Sequence, residues 1–203
     1  ENSMDSKVVI KKIRSLANHK NVEGMARFGI NPKNILGVSM PELRKLAKQI
    51  GKDHDSAQKL WDSGIHEARI LAGLVDDPKL VTETQMKRWI ADFDSWDVCD
   101  QVCMNLFDKT PFAHKKAVEF AKREKEFERR AGFALMASLA VHDKTASDSQ
   151  FQAFFPLIKK YSVDERNFVK KAVNWALRQI GKRNKNLNKL AIKTAREIES
   201  ASW

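Results

Sequence analysis

The stretch FERRAGFALMASLAV, residues 127 to 141, decides the fold class because it reads as a helix with almost no polar face. After its two arginines nearly every side chain is small or apolar, so such a helix must be buried on most sides. Two other stretches also pair a charged opening with an apolar body: IHEARILAGLV at 65 to 75 and NFVKKAVNWALRQI at 167 to 180. Phe127 and Phe168 hold equivalent positions 41 residues apart, which indicates repeated helical units.

Apolar residues recur at intervals of three and four through almost every segment, and strand-type alternation is absent. We therefore predict an all-α protein whose stacked antiparallel helix pairs, HEAT-like repeats, form a curved solenoid with a concave basic groove. A compact, irregular helix bundle would give a similar pattern. The predicted helices are 6–19, 40–50, 54–62, 65–76, 81–92, 95–108, 111–123, 126–142, 148–161, 165–182 and 187–200. Pro41, Pro78 and Pro111 are expected in first helical turns, after the caps Ser39, Asp77 and Thr110.

Length and composition favour one domain over residues 1–203, because the chain can bury one sizeable core and contains no linker-like stretch. No apolar run approaches the roughly 18 residues of a membrane span, and no signal-peptide pattern opens the chain. We expect a cytoplasmic monomer, associated with the nucleoid in a prokaryote. Cys99 and Cys103, four positions apart, match no zinc-ligand pattern and are expected to be reduced core residues. The five histidines occur singly, so neither a metal nor another cofactor is expected.

Positive charge is concentrated in the last quarter of the chain. The net charge is 37 − 26, or +11, and residues 159 to 196 carry twelve basic and two acidic side chains. The other 165 residues carry 25 basic and 24 acidic side chains. A field of this sign suits a polyanion, and nucleic acid is the leading candidate, although an acidic protein or an anionic lipid surface would also be attracted.

The stretch DSWDVCD, residues 94 to 100, places a carboxylate among apolar side chains. On a helix, Asp100 lies at the edge of the apolar stripe, between Trp96 one turn earlier and Met104 one turn later. Burial there disfavours the anion, so Asp100 requires a donor or a cation nearby. A cap or a structural ion pair is the alternative interpretation. Asp97, in the first turn, fits the role of complementing the helix dipole.

Two arginines, Arg129 and Arg130, open the apolar helix, where the helix dipole disfavours cations. An external anion or an acidic neighbour is therefore expected to compensate them. The interpretations left open for Arg130 are a local ion pair with Glu126, a phosphate, or the carboxylate of a site.

A second aromatic, Trp175, lies at the border between an apolar helix face and the cations Lys171 and Arg178. An aromatic flanked by cations fits a sugar–phosphate backbone, and a core tryptophan is the alternative. The turn GKRNKNLNK, residues 181 to 189, is expected to face phosphates. The residues predicted to contact DNA are Arg129, Lys170, Lys171, Arg178, Lys182, Arg183, Lys185 and Lys189.

With SWDVCD, FERRAGFALMAS and FVKKAVNWALRQIGK in this order, the chain resembles the HEAT-repeat alkylpurine DNA glycosylases, the AlkD type of DNA alkylation repair protein. The resemblance extends from about residue 25 to about residue 182. It implies that Asp100 is the catalytic carboxylate, that Arg130 stands beside it, and that Trp96 and Trp175 complete the wall facing the damaged nucleotide. Ser95 and Cys99 replace residues common in the family, and neither departure is expected to abolish activity.

The resemblance implies hydrolysis of the N-glycosidic bond of N3- or N7-alkylated purines in duplex DNA. Such a purine is already cationic, so it can leave without a general acid. Asp100 would stabilise the oxocarbenium-like sugar and position water, and no lysine adjoins it to form a covalent intermediate. The family also implies that the lesion can stay stacked, which fits the lack of an obvious base-reading Asn or Gln near the motifs.

Two other classes of function stay open. A non-catalytic helical-repeat module could bind DNA or RNA through the same basic segment, and the family includes members without detectable glycosylase action. A protein-binding scaffold is the third hypothesis. Asp100 distinguishes an enzyme from a binding module, because a wall meant for phosphate has no use for an uncompensated carboxylate.

Overall fold

The computed structural model describes residues 5–201, and within them the chain is helical, with no strand. The α-helices of this range are α1 Ser6–Ser15, α2 His19–Arg27, α3 Met40–Ile50, α4 His54–Asp62, α5 His66–Val75, α6 Glu83–Ala91, α7 Trp96–Asn105, α8 Ala113–Ala121, α9 Glu126–His142, α10 Asp148–Gln152, α11 Phe155–Tyr161, α12 Asn167–Gly181 and α13 Lys185–Ala201. A short 3-10 helix, Phe107–Lys109, follows α7. None of these helices is long and apolar enough to cross a membrane. The prediction of an all-α protein is confirmed.

The predicted helices differ from the structure in two places, one helix that was not predicted and one that is interrupted. Helix α2 occupies a segment for which the sequence predicts no helix beyond residue 19, and the Asn18 side chain starts it by accepting hydrogen bonds from two backbone N–H groups. The helix predicted at 148–161 is interrupted after Gln152, and α11 begins at Phe155. Pro156 explains the interruption, because proline has no N–H to continue the preceding helix and clashes with the carbonyl four residues earlier.

The three prolines predicted in first helical turns behave differently. Pro41 is the second residue of α3, as predicted, and Ser39 holds the N-cap position, but the Ser39 side chain makes no capping hydrogen bond. Pro78 and Pro111 instead lie in turns that precede α6 and α8, so those two predictions are wrong. The Asp77 side chain accepts a hydrogen bond from the backbone two residues on, which closes a turn rather than starting a helix.

The chain divides into two compact units, Glu1–Gln85 and Met86–Trp203, with the boundary inside α6. In the first unit α5 is the central helix, because it packs against α3 and α4 and buries most of its residues. The single domain expected from the sequence stays a prediction.

Glu67 explains why a charged residue occurs in the apolar helix α5. Its side chain is fully buried, and its carboxylate accepts hydrogen bonds from the backbone N–H groups of Leu36, Gly37 and Val38 at 2.9, 2.6 and 3.0 Å. Buried backbone donors in a loop need such partners. The HEARI stretch is therefore a structural clamp on the segment before α3.

In the second unit α9 is the central helix, packed against α7, α8 and α12, and it is buried from Arg130 to Ala140. Gly132 allows its close approach to α8, because a Cβ atom there would overlap the backbone of Ala121. The rings of Phe127 and Phe168, predicted to be equivalent, lie 5.7 Å apart between centroids. Helices α9 and α12 thus pack in the register that the repeat indicated.

The two cysteines fasten α7 to α9 without forming a disulfide. Cys99 and Cys103 are buried free thiols, as predicted, and their sulfur atoms lie 3.6 and 3.7 Å from the carbonyl oxygens of Phe127 and Ala131. Burial raises the pKa of the Cys99 thiol well above its ordinary value, so it stays protonated. These contacts set the position of α7, and hence of Asp100, against α9.

Candidate active site and nucleic-acid interface

A buried carboxylate–guanidinium pair forms the centre of the candidate site. Arg130, in the first turns of α9, donates from Nε to Oδ1 of Asp100 at 2.9 Å and from Nη2 to Oδ2 at 2.8 Å. The two side chains expose only 8% and 11% of their surface. Two parallel charge-assisted hydrogen bonds are the strongest arrangement for such a pair. Arg130 therefore supplies the positive charge that the sequence predicted Asp100 to need.

Arg130 also reaches α12, because its Nη1 donates to the carbonyl oxygen of Phe168 at 2.6 Å. Within residues 5–201 its ion pair is with Asp100, so the local pair with Glu126 is wrong. The three contacts use three of the five guanidinium N–H donors. One side chain thus joins the three helices that carry the three sequence motifs.

The protonation of the pair follows from burial and from the partner. Burial raises the pKa of Asp100 above its ordinary value, the hydrogen bonds and charge of Arg130 act against that rise, and Asp97 adds to it. For Arg130, burial would lower the pKa, but the hydrogen bonds and charge of Asp100 outweigh burial and the pKa is raised. The guanidinium therefore remains charged, while Asp100 is a stronger base than an exposed carboxylate.

Asp97 lies in the first turn of α7, as predicted. Its carboxylate accepts hydrogen bonds from the Ser95 hydroxyl at 2.8 Å and from the backbone N–H of Val98 at 2.9 Å. Two of the three carboxylates of DSWDVCD therefore differ in role, since Asp97 belongs to the helix start and Asp100 to the buried pair.

The pair lies in the wall of an open pocket of about 450 Å³. The pocket is lined by Asp100, Arg130, Lys171, Asn174, Trp175 and Arg178. Trp175 is half-buried, while Lys171 and Arg178 are exposed at its side on α12. Trp96, the first residue of α7, is half-buried one turn before Asp100 and is not part of this lining. The structure thus brings together three of the four residues predicted to be catalytic.

Three more of the predicted DNA contacts lie after the end of α12. Lys182, Lys185 and Lys189 are exposed and line an open depression of about 480 Å³ around the turn between α12 and α13. Lys170 is exposed on α12 but does not line the Asp100 pocket. Exposed ammonium groups on one turn are suited to phosphate oxygens.

Two of the predicted DNA contacts are engaged in the fold instead. Arg129 donates to Asp164 at 2.7 Å and to a backbone carbonyl of α8, and its guanidinium lies 4.2 Å from the centre of the Tyr161 ring. Arg183 donates to two backbone carbonyls and lies 4.4 Å from the centre of the Phe151 ring. Because a planar guanidinium satisfies several acceptors at once, both arginines hold connections between helices. Neither is kept in the proposed interface.

Asn174 is a pocket residue that the sequence interpretation missed. It is exposed on α12, and its carboxamide has no hydrogen-bond partner within residues 5–201. The signal was its spacing, three positions after Lys171 and four before Arg178, which places all three on one helix face. Asn174 is thus a polar residue of the pocket that the sequence analysis did not single out.

No group of three or more His, Cys, Asp or Glu side chains in the described part of the chain could hold a metal ion.

Comparison with known proteins identifies the family. The family model of the DNA alkylation repair enzymes matches residues 9–202. The chain belongs to this family. Among solved structures, the fold of this family member is similar, with a TM-score of 0.85, to a protein from a new family related to the HEAT-like repeat DNA glycosylases with affinity for branched DNA structures. The two chains are 22% identical over 96% of this chain and 83% of the other. A sequence search of curated proteins found no match.

The family match confirms the resemblance that was drawn from the three motifs, and the structural match confirms the predicted fold class of HEAT-like helical repeats.

Proposed function

We propose that the protein is a monofunctional DNA glycosylase that hydrolyses the N-glycosidic bond of cationic alkylated purines, of the N3-methyladenine and N7-methylguanine type, in duplex DNA. One observation carries this proposal. The Asp100 carboxylate is held by Arg130 in the wall of an open pocket, beside Trp175 and two exposed cations.

Asp100 has the chemistry that the reaction needs. As the bond from C1′ to the purine nitrogen lengthens, its electron pair neutralises the alkylated base, and positive charge develops on the deoxyribose. A fixed carboxylate stabilises that charge. Water then bonds to C1′ and gives its proton to Asp100, whose raised pKa suits it as a base.

The pair with Arg130 leaves Asp100 able to act. A carboxylate offers about four acceptor sites, and the bidentate contact uses one on each oxygen. The 11% of the Asp100 side chain that remains exposed is its access to the pocket. Arg130 thus orients the carboxylate and keeps it anionic without covering it.

The other lining residues would hold the nucleotide. The half-buried Trp175 presents an aromatic surface that can pack against the sugar and exclude water, which strengthens the attraction between Asp100 and the sugar. Lys171 and Arg178 are exposed cations suited to the flanking phosphates. Trp96 would contribute from the start of α7.

Non-catalytic binding of branched DNA is the second candidate function. One observation in its favour is that Arg130 neutralises Asp100, because a neutral pair does not repel phosphate. The other is that the structurally similar protein has affinity for branched DNA. In that case the pair would only connect α7, α9 and α12.

The test is single-turnover base release from a duplex that contains one N7-methylguanine. We expect release by the wild type, a loss of at least about 100-fold in Asp100→Asn, and a change of only a few-fold in the matched control Asp97→Asn. If the wild type releases no base and binds a four-way junction more tightly than a duplex, the protein is a binding module and the glycosylase proposal fails.

A further inference from the structure

We infer that Asp164, in the loop between α11 and α12, is a positioning residue that holds Arg130 in its bidentate contact with Asp100. This inference rests on the proposed glycosylase function, because Asp100 is the carboxylate that acts in base release. It assigns a role to a carboxylate that does not line the pocket and lies where α9 and α12 begin.

The Asp164 carboxylate is a buried junction between two arginines. Its side chain exposes 7% of its surface and accepts four hydrogen bonds. Oδ1 accepts from the backbone N–H and the Nε of Arg166 at 3.1 and 3.0 Å. Oδ2 accepts from Nη2 of Arg166 and from Nη1 of Arg129, both at 2.7 Å. A carboxylate has about four acceptor sites, so Asp164 is saturated and its role lies within the fold.

The same two arginines join the starts of α9 and α12 to the end of α8. Arg129 is the fourth residue of α9, and its Nε donates to the carbonyl oxygen of Ala121 at 3.2 Å. Arg166 is the N-cap of α12, and its Nη1 donates to the carbonyl oxygen of Glu124 at 2.7 Å. Two guanidinium groups on one carboxylate therefore fix the first turn of α12 against the first turn of α9.

The geometry of Arg130 depends on that separation of the two helices. Its Nη1 donates at 2.6 Å to the carbonyl oxygen of Phe168, two residues after Arg166, while its Nε and Nη2 donate to Asp100. Because a guanidinium is planar and rigid, all three bonds form together only when α12 stands at one distance from α9. If the start of α12 shifts, the two bonds from Arg130 to Asp100 lengthen and bend.

The pKa of Asp100 reports where Arg130 stands. The charged and titratable groups that face Asp100 come from three helices, namely Asp97 and Cys99 on α7, Arg130 on α9, and Lys171 and Arg178 on α12. Asp164→Asn removes a negative charge, so its direct electrostatic effect would lower the pKa of Asp100. Weaker hydrogen bonds from Arg130 would raise that pKa. The direction of the shift therefore distinguishes a change of position from a change of field.

The first experiment is the pH dependence of single-turnover base release. For Asp164→Asn we expect the acid-side decline in rate to move upward by at least about 0.5 pH unit. Arg166→Lys keeps the charge but loses the planar fork, so it should move the decline in the same direction even if Asp164→Asn does not fold. Asp143→Asn, the matched control, removes a carboxylate that binds His114 at the other end of α9 and should leave the decline in place. A decline that stays in place or moves to lower pH in the first two variants overturns the inference.

Hydrogen exchange of the Arg130 Nε–H, followed by nuclear magnetic resonance, tests the positioning without base release. This group is buried and donates to Asp100, so it should exchange at least about tenfold faster in Asp164→Asn and Arg166→Lys than in the wild type or in Asp143→Asn. If the wild type releases no base and the exchange still changes in this way, the proposed function fails and the positioning stands. Unchanged exchange refutes the positioning, whatever the activity.

Discussion

Replacing Arg130 by methionine removes the cation from the buried pair and tests whether the pair holds the second unit together. The change deletes two charge-assisted hydrogen bonds to Asp100 and one to the Phe168 carbonyl, and it leaves a carboxylate that exposes only 11% of its surface. Breaking a buried ion pair from one side costs about 3 to 5 kcal/mol. For a chain of this size, a loss of about 3 kcal/mol lowers the melting temperature by roughly 6 to 12 °C.

The double variant separates the pair from simple packing. Asp100→Leu alone leaves Arg130 charged and buried, so we expect a loss of about 3 kcal/mol. Asp100→Leu with Arg130→Met replaces both charges by apolar groups. It should then cost only about 1 kcal/mol, mainly from the Phe168 carbonyl that loses its donor. The expected coupling free energy between the two positions, the sum of the two single losses less the loss in the double variant, is therefore about 5 kcal/mol.

The assay is urea unfolding of the four proteins at neutral pH, followed by far-ultraviolet circular dichroism, with the free energies compared in a double-mutant cycle. Single losses that add in the double variant to within about 0.5 kcal/mol would mean that the two charges are independent. That result would refute the role assigned to Arg130 as the cation that keeps Asp100 ionised.

Three further predictions concern pH, packing and salt. Burial raises the pKa of Asp100 above its ordinary value of 3.8, so the rate of base release should decline as the pH falls through that raised pKa. A pH–rate profile in which the rate does not decline on the acid side above about pH 4 would contradict this prediction. Gly132→Ala should lower the free energy of unfolding by about 3 kcal/mol, because the new Cβ overlaps α8. Gly24→Ala has open space around the new Cβ, so the same denaturation assay should show a free energy of unfolding that is higher by up to about 1 kcal/mol. Lys171→Ala with Arg178→Ala should reduce the salt slope of DNA affinity by about 1.8, and a slope equal to that of a variant lacking two exposed lysines of α1 would place the interface elsewhere.

The features that sequence predicted well are those that one helix shows by itself. The apolar residues of α9 predicted that this helix is buried, and the apolar neighbours of Asp100 predicted a cation beside it. Both predictions rest on the direction in which side chains point from a helix. The sequence alone did not identify which cation pairs with Asp100. Arg130 is 30 residues away, and only the packing of α7 on α9 brings them together.

The features that sequence missed depend on backbone groups and on spacing across helices. Arg129 and Arg183 were predicted to contact DNA because they are basic. In the structure their guanidinium groups instead contact backbone carbonyls and aromatic rings from other parts of the chain. Asn174 is uncharged, so a prediction based on basic residues does not include it, although its position on α12 places it in the pocket. In the structure Arg129 and Arg183 therefore take part in packing, Asn174 lines the pocket, and Trp96 does not.

The ion pair also changes how an enzyme and a binding module are told apart. The presence of Asp100 was the expected criterion, because an uncompensated carboxylate would repel phosphate. In the structure Arg130 compensates it, so a binding surface can tolerate Asp100 at no electrostatic cost. What a binding module does not require is access from the pocket to that carboxylate beside Trp175. The loss of base release in Asp100→Asn, with DNA affinity retained, is therefore the result that only an enzyme gives.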